Sequence, residues 1–178
     1  MKTMLITSAC LLAMATAASA QAPAGGPPEG RPPGAPPPQP RAKGPALAPS
    51  VQAAQAAVAA CAANGYKVTA LIADSAGDPV VLLSGDGAPL RTQAVAKTKI
   101  AAVMKYRMSS GEVAAKAKTD PKLDAEIKAD PSIGMIRQGG VPIMSSGDLL
   151  GAFAVSGAPG GDKDEACVRA ALAKVPLG

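Results

Sequence analysis

Residues 139–167 read GGVPIMSSGDLLGAFAVSGAPGGDKDEAC, and no other stretch says as much about the fold. Residues 141–144 are a short apolar run, 145–148 carry turn chemistry, and 149–156 form an uncharged run long enough for a buried strand. The two runs predict a hairpin. Beyond it, Gly157, Gly160 and Gly161 allow backbone conformations and close approaches that a side chain would block. Asp162, with Glu165 three residues later, has the spacing of a capping box and predicts a final helix over 163–175. Val168, Leu172 and Val175 form its apolar stripe, with Cys167 beside it.

Working back along the chain, residues 66–73 are rich in β formers, Asp74-Ser75-Ala76-Gly77-Asp78 is a turn, and 79–84 is a returning strand. This is a second hairpin. Between the hairpins, residues 91–107 put Val95, Ile100, Val103 and Met104 on one helical face. Ser109 with Glu112 gives a capping box for a short helix that Thr119-Asp120-Pro121 ends. Residues 121–136 read as another short helix and a loop, because Asp130-Pro131 interrupts the stripe; a fifth strand over 133–137 is the other option. A helix capped by Ser50 and stopped by Asn64-Gly65 precedes the first hairpin, with Val51, Ala54, Val58 and Cys61 on its inner face. Strands in hairpins with helices before, between and after them predict an α+β domain with a mainly antiparallel sheet.

The front of the chain is of another kind. Lys2, the apolar run 4–15 and Ala18-Ser19-Ala20 are the charged, hydrophobic and cleavage regions of a secretory signal, with Gln21 as the new N-terminus. The run is too short to span about 30 Å of hydrocarbon, and no later stretch stays apolar for 18 residues, so no transmembrane segment is expected and the mature chain should be soluble. Residues 21–49 hold the tracts Pro27-Pro28, Pro32-Pro33 and Pro36-Pro37-Pro38 and read as an extended linker. The expected organisation is a signal peptide over 1–20, a proline- and glycine-rich disordered linker over 21–49 and one domain over 50–178, in a periplasmic or secreted protein.

The formal charge is +5, but the basic residues are scattered and Tyr66, Tyr106 and Phe153 are the only aromatics, which argues against nucleic acid as a partner. The chain has no histidine, which excludes histidine triads, histidine bases and the commonest haem ligand. Cys10 leaves with the signal. In an oxidising compartment Cys61 and Cys167 then favour one disulfide over two buried thiols. No nucleophile, base and orienter triplet stands out, so no catalytic residue is assigned. Arg91, Lys97, Lys99, Lys105 and Arg107 read as a solvated basic face. Asp74 and Asp86 read as turn residues, and Met104, Met108, Met135 and Met144 as core filler. The glycine loop is not a P-loop, because Asp162 and Asp164 put negative charge where a phosphate would sit.

From Ser50 to Val175 the sequence resembles the exported branch of the GlcG/HbpS family, the haem-binding or haem-degrading domain related to the C-terminal domain of PduO-type proteins. The resemblance is carried by Ala60-Cys61, Asn64-Gly65-Tyr66, Ala73-Asp74 with Gly77, Asp86-Gly87-Ala88, Lys99, Gly139-Gly140-Val141-Pro142-Ile143, the loop 155–161 and Lys163-Asp164-Glu165-Ala166-Cys167. It implies a profilin-like layered fold with a five-stranded, mainly antiparallel sheet, assembly into homo-oligomers, and a small-molecule ligand, with haem or a related tetrapyrrole first. The ligand-binding residues it implies are Arg91, Lys99, Tyr106, Gly139, Gly140 and Pro142. The chain departs from the family where many members carry a histidine and this one has Arg91, in lacking a threonine after Lys99, and in having Tyr106 for phenylalanine. Tyr106 is then the candidate axial ligand to haem iron, and Arg91 or Lys99 the partner of the propionates. Binding is expected ahead of catalysis; oxidative haem breakdown, or a structural oligomer with a vestigial pocket, are the alternatives.

Overall fold

β1 (Thr69–Asp74) and β4 (Asp148–Ser156) lie side by side at the centre of the domain and are buried on both faces along most of their length. The computed structural model describes residues 42–178. Because strand side chains alternate, Leu71, Ala73, Ala152 and Ala154 point to one side, and Ala70, Ile72, Phe153 and Val155 to the other. Both sides therefore need cover. α2 (Arg91–Tyr106) supplies it on the first through Ala96, Ile100 and Val103. α1 (Leu47–Ala62) and α5 (Gly161–Lys174) supply it on the second through Ala54, Ala57, Val168 and Ala171.

β2 (Pro79–Ser84) and β3 (Gly140–Ser145) are the sheet edges, giving the order β2-β1-β4-β3, antiparallel throughout. The predicted hairpin over the 139–156 region is β3–β4, turned by Ser146 and Gly147, both with positive φ as the twist of a two-residue hairpin requires. α3 (Ser110–Ala117) and α4 (Pro121–Ala129) pack beyond α2 in a separate cluster with Val113, Ile127 and Ile133. The Ser109 capping box is present: Ser109 Oγ accepts from the Glu112 amide at 3.2 Å, and the Ser109 amide donates to Glu112 at 2.8 Å. Among the described residues no helix is long and apolar enough to cross a membrane.

Several expectations are corrected. Four strands are described, not five. Residues 133–137 form no strand because Asp130 organises them as a turn: its side chain accepts from the Ser132 amide at 2.9 Å and its carbonyl from the amides of Ile133 and Gly134. Those donors are spent before any ladder could use them. α1 starts at Leu47 rather than behind Ser50, which lies inside the helix, buried, with Oγ donating to the Ala46 carbonyl at 2.8 Å. The chain is packed even earlier, since the Lys43 carbonyl accepts from the Ser75 amide at 2.7 Å. The inner face of α1 is made of Ser50, Ala53, Ala54, Ala57 and Cys61, while Val51 is exposed. Nor does Asp162 cap α5. Gly160 is the N-cap, without a side-chain bond, and Glu165 is turned inward and accepts from Arg169 Nε at 2.8 Å. The signal peptide and the linker up to residue 41 lie outside the described residues.

Small side chains let α1 and α5 approach closely, and Cys61 and Cys167 are joined across that contact with Cα atoms 5.6 Å apart. The bond closes a loop between residues 106 apart in sequence. By the chain-entropy argument a loop of this length contributes on the order of 4.7 kcal/mol through the unfolded state, and native disulfides of small secreted domains contribute about 2–5 kcal/mol. Unreduced mass spectrometry should therefore show the bonded pair, and the double variant Cys61→Ala/Cys167→Ala should lose about 2–5 kcal/mol in denaturant unfolding. Two free thiols in the native protein would contradict this.

Candidate functional site

The cavity that gathers the most polar chemistry lies where β4 ends and two helices begin. Its floor is set by Lys99 of α2, whose stripe neighbours Ala96, Ile100 and Val103 are all buried apolar residues. Helical spacing makes Lys99 buried too, at 1 % exposure, so its charge must be met inside the protein. Nζ donates to Asp164 Oδ2 at 2.7 Å and to the Val155 carbonyl at 2.6 Å. Asp164, in the first turn of α5, accepts with its other oxygen from the Ala158 amide at 2.9 Å. The pair thereby ties α2, β4, the glycine loop and α5 together.

Burial is the larger influence on both partners: it pulls the Lys99 pKa down and pushes that of Asp164 up, while each opposes the shift in the other. The space for Lys99 comes from two glycines, Gly139 at its ammonium and Gly140 at the base of its side chain. A Cβ on Gly139, which has φ of +118°, would stand 2.6 Å from Lys99 Nζ and 2.7 Å from Asp164 Cβ; one on Gly140 would stand 3.1 Å from Lys99 Cβ. Neither position accommodates a larger residue without moving the pair.

Above this floor is a cavity of about 540 Å³, within the roughly 300–1,000 Å³ range of small-molecule sites. Its wall on one side is the start of α2, with Arg91, Thr92 and Val95. Thr92 holds that end on the sheet: its hydroxyl donates to the Pro89 carbonyl at 2.6 Å and shares a 2.7 Å bond with Thr69. The other wall is the loop from Ser156 to Asp162, and Arg137 and Gln138 close the side. At the start of α5 the Gly160 cap provides no side-chain acceptor, so the first residues of a helix and two arginines line one space. Asp162 is the opposing charge at the rim. The arrangement can hold an anion with several acceptor oxygens.

Of the residues singled out from the sequence, Arg91 and Lys99 line this cavity together. Gly139 and Gly140 serve it from behind, by making room for Lys99. Pro142 is paired with Ala152 in the β3–β4 ladder and does not line the cavity. Tyr106 ends α2, fifteen residues from Arg91 or about 22 Å of helix rise, and is likewise absent from the cavity wall. Its hydroxyl donates to Glu126 at 3.0 Å, and burial together with that bond raises its pKa, which disfavours the phenolate an iron would want. Lys99 also departs from the solvated face expected for the basic residues of α2. Sequence reasoning missed Arg137, Gln138 and the role of Asp164. The signal for Asp164 was there, in a lysine set on an apolar helical stripe that demands a buried acid.

Fold and cavity define an α+β domain with helices on both faces of an antiparallel sheet and a cation-lined ligand cavity at one end. The chain belongs to the family of HbpS-like haem-degrading proteins, whose model matches residues 47–173. The crystal structure of HbpS is similar at 29% identity, over 77% of this chain and 94% of that one, with a TM-score of 0.67. A double mutant of Streptomyces reticuli HbpS is similar at 29% identity, over 86% of this chain and 99% of that one, with a TM-score of 0.67. The PduOC:heme complex shares the fold at 20% identity, over 76% and 97% of the two chains, with a TM-score of 0.68. No curated protein sequence is similar enough to match.

Two predictions follow from these surroundings. Lys99→Met leaves Asp164 buried and uncompensated and should destabilise the domain by about 3–5 kcal/mol at neutral pH. The deficit should shrink on acidification, since a protonated Asp164 needs no counter-charge; a deficit that does not change with pH would remove Asp164 as the cause. At the far end of α2, Lys105 bridges Glu126 and Asp130, each at 2.9 Å. Bonds from Ser132 and then Lys105 hold the Asp130 carboxyl down to about 2. A depressed carboxylate contributes stability above its unfolded value of about 3.9 and loses it as pH falls through the folded one. The stability gap between the parent and Asp130→Asn, read by denaturant midpoints, should therefore be present at pH 6 and close between about pH 4 and 2.

Proposed function

We propose that this chain is an exported small-ligand-binding protein whose ligand is haem or a related tetrapyrrole, held by its carboxylates in the cavity between the starts of α2 and α5. The observation that carries the reading is the pairing of Arg91 and Arg137 with the helix-start amides over a floor whose own charges cancel. Membership of a haem-degrading family and the haem complex of a protein of the same fold support it. Guanidinium groups suit carboxylates because they offer paired donors in a planar fork.

The fit is to one part of the ligand. Propionate-type carboxylates find donors here, whereas the cavity wall holds no histidine, cysteine, methionine or tyrosine for an iron. No step of haem breakdown is therefore routed through these residues, and binding is preferred to the oxidative alternative that the family's description favours. Export fits the Cys61–Cys167 bond, which persists best in an oxidising compartment. Homo-oligomerisation belongs to the same proposal, because Leu82 and Met144 on the two edge strands are exposed and a second copy would cover them.

Titration of haemin into the mature chain should give a saturable, stoichiometric change in Soret absorbance. Arg91→Ala and Arg137→Ala should each weaken it about 10–100-fold, the equivalent of one charge-assisted bond. A change no larger than that of free haemin in buffer would remove haem as the ligand and leave the structural oligomer standing.

A further inference from the structure

Given that reading, the donors of the whole domain bear on which part of the ligand is recognised. Iron in haem takes a neutral imidazole, a thiolate, a thioether or a phenolate from protein. The chain has no histidine. Cys61 and Cys167 are bonded to each other. Tyr106 is committed to Glu126 at the other end of α2, and Tyr66 lies under Lys163, against α1. Met104 and Met108 pack in the clusters around α2 and Met144 lies on the edge strand β3, none of them in the cavity wall, and the Met135 sulfur accepts from the Arg137 guanidinium at 3.0 Å. Lys99 reaches the cavity, but it donates to both a carboxylate and a carbonyl, so it is held as a cation without a free lone pair. Both oxygens of Asp164 are engaged as well.

The anion side is the reverse. Arg91 and Arg137 each carry five N–H donors, and neither forms a salt bridge among the described residues. Both are exposed at the cavity, where a ligand can reach them. Asp162 has no cationic partner at the rim either. It repels a carboxylate and so limits how the ligand enters.

We propose that this chain recognises the carboxylate edge of a tetrapyrrole and not its metal, so that the ligand class is the porphyrin dicarboxylate with or without iron. The proposal rests on the tetrapyrrole reading and makes it more specific. Arg91 and Arg137 are then the specificity-determining residues, and Asp162 opposes binding.

The test compares three probes on the mature, disulfide-bonded chain: haemin, iron-free protoporphyrin IX and protoporphyrin IX dimethyl ester, followed by ligand absorbance and porphyrin fluorescence. Haemin and the iron-free acid should bind within about threefold of each other, and the ester, which lacks the charges, at least about tenfold more weakly. Arg91→Ala and Arg137→Ala should weaken haemin and the iron-free acid by the same factor, and Asp162→Asn should tighten both. Haemin bound more than about tenfold tighter than the iron-free acid, or an ester bound as well as the acid, would overturn the proposal while leaving tetrapyrrole binding intact. Failure of all three probes would instead sink the tetrapyrrole reading itself. The central comparison uses the unsubstituted chain and so does not depend on any variant folding.

Discussion

The buried pair of Lys99 and Asp164 is the constraint around which the rest of the domain is arranged. Moving two charges out of water is costly, and their attraction offsets that only when the geometry is good and the remaining bonding capacity is met. Here it is met by main chain: the Val155 carbonyl takes a second donor of the lysine and the Ala158 amide fills the second oxygen of the acid. Asp164 also sits in the first turn of α5, where the helix dipole favours negative charge. A single pair therefore fixes the end of β4, the course of the glycine loop and the seating of two helices on opposite faces of the sheet.

The cavity follows from that arrangement. With the floor charges cancelled, the surplus at its walls belongs to Arg91, Arg137 and the uncapped start of α5, set against Asp162. Replacing Gly139 by any larger residue would push on the ammonium itself, which explains two glycines at the start of β3 without assigning them a ligand. The core around the pair is thin. α1 and α5 meet through alanines and cysteines, and Phe153 is the only aromatic among the fully buried side chains. Small residues permit close helix contact but bury little apolar area each, so a long-loop disulfide across that same contact adds stability that packing alone supplies sparingly.

Much of the fold was legible in the sequence. Alternation and turn chemistry marked both hairpins, the Ser109 box marked α3, and the stripe in 91–107 marked α2 with an error of one residue at its end. The errors arose where local signals compete with packing. Asp162 and Glu165 have capping-box spacing, yet Glu165 is drawn inward to a buried position and the helix begins one residue before Asp162. Ser50 has the identity of a cap, but Lys43 and Gly44 are held against the β1–β2 turn, and the helix starts at Leu47. Of the candidate site, Arg91 and Lys99 were visible; the place of Lys99 on an apolar stripe called for a buried acid, but which acid, and that Arg137 joins the cavity, depend on how distant segments come together.

The sequence by itself determined the order of elements, the buried character of the last strand, the pairing of Cys61 with Cys167 as the favoured option, and the absence of histidine. These depend on composition and on periodicities of two and 3.6 residues, which are local. Only the tertiary structure decided that Lys99 is a buried cation and not a solvated one, that Asp164 is its partner, and that Arg137 joins Arg91 at one cavity. Those are matters of long-range contact: 65 residues separate Lys99 from the acid that neutralises it, and no local pattern encodes which acid that is.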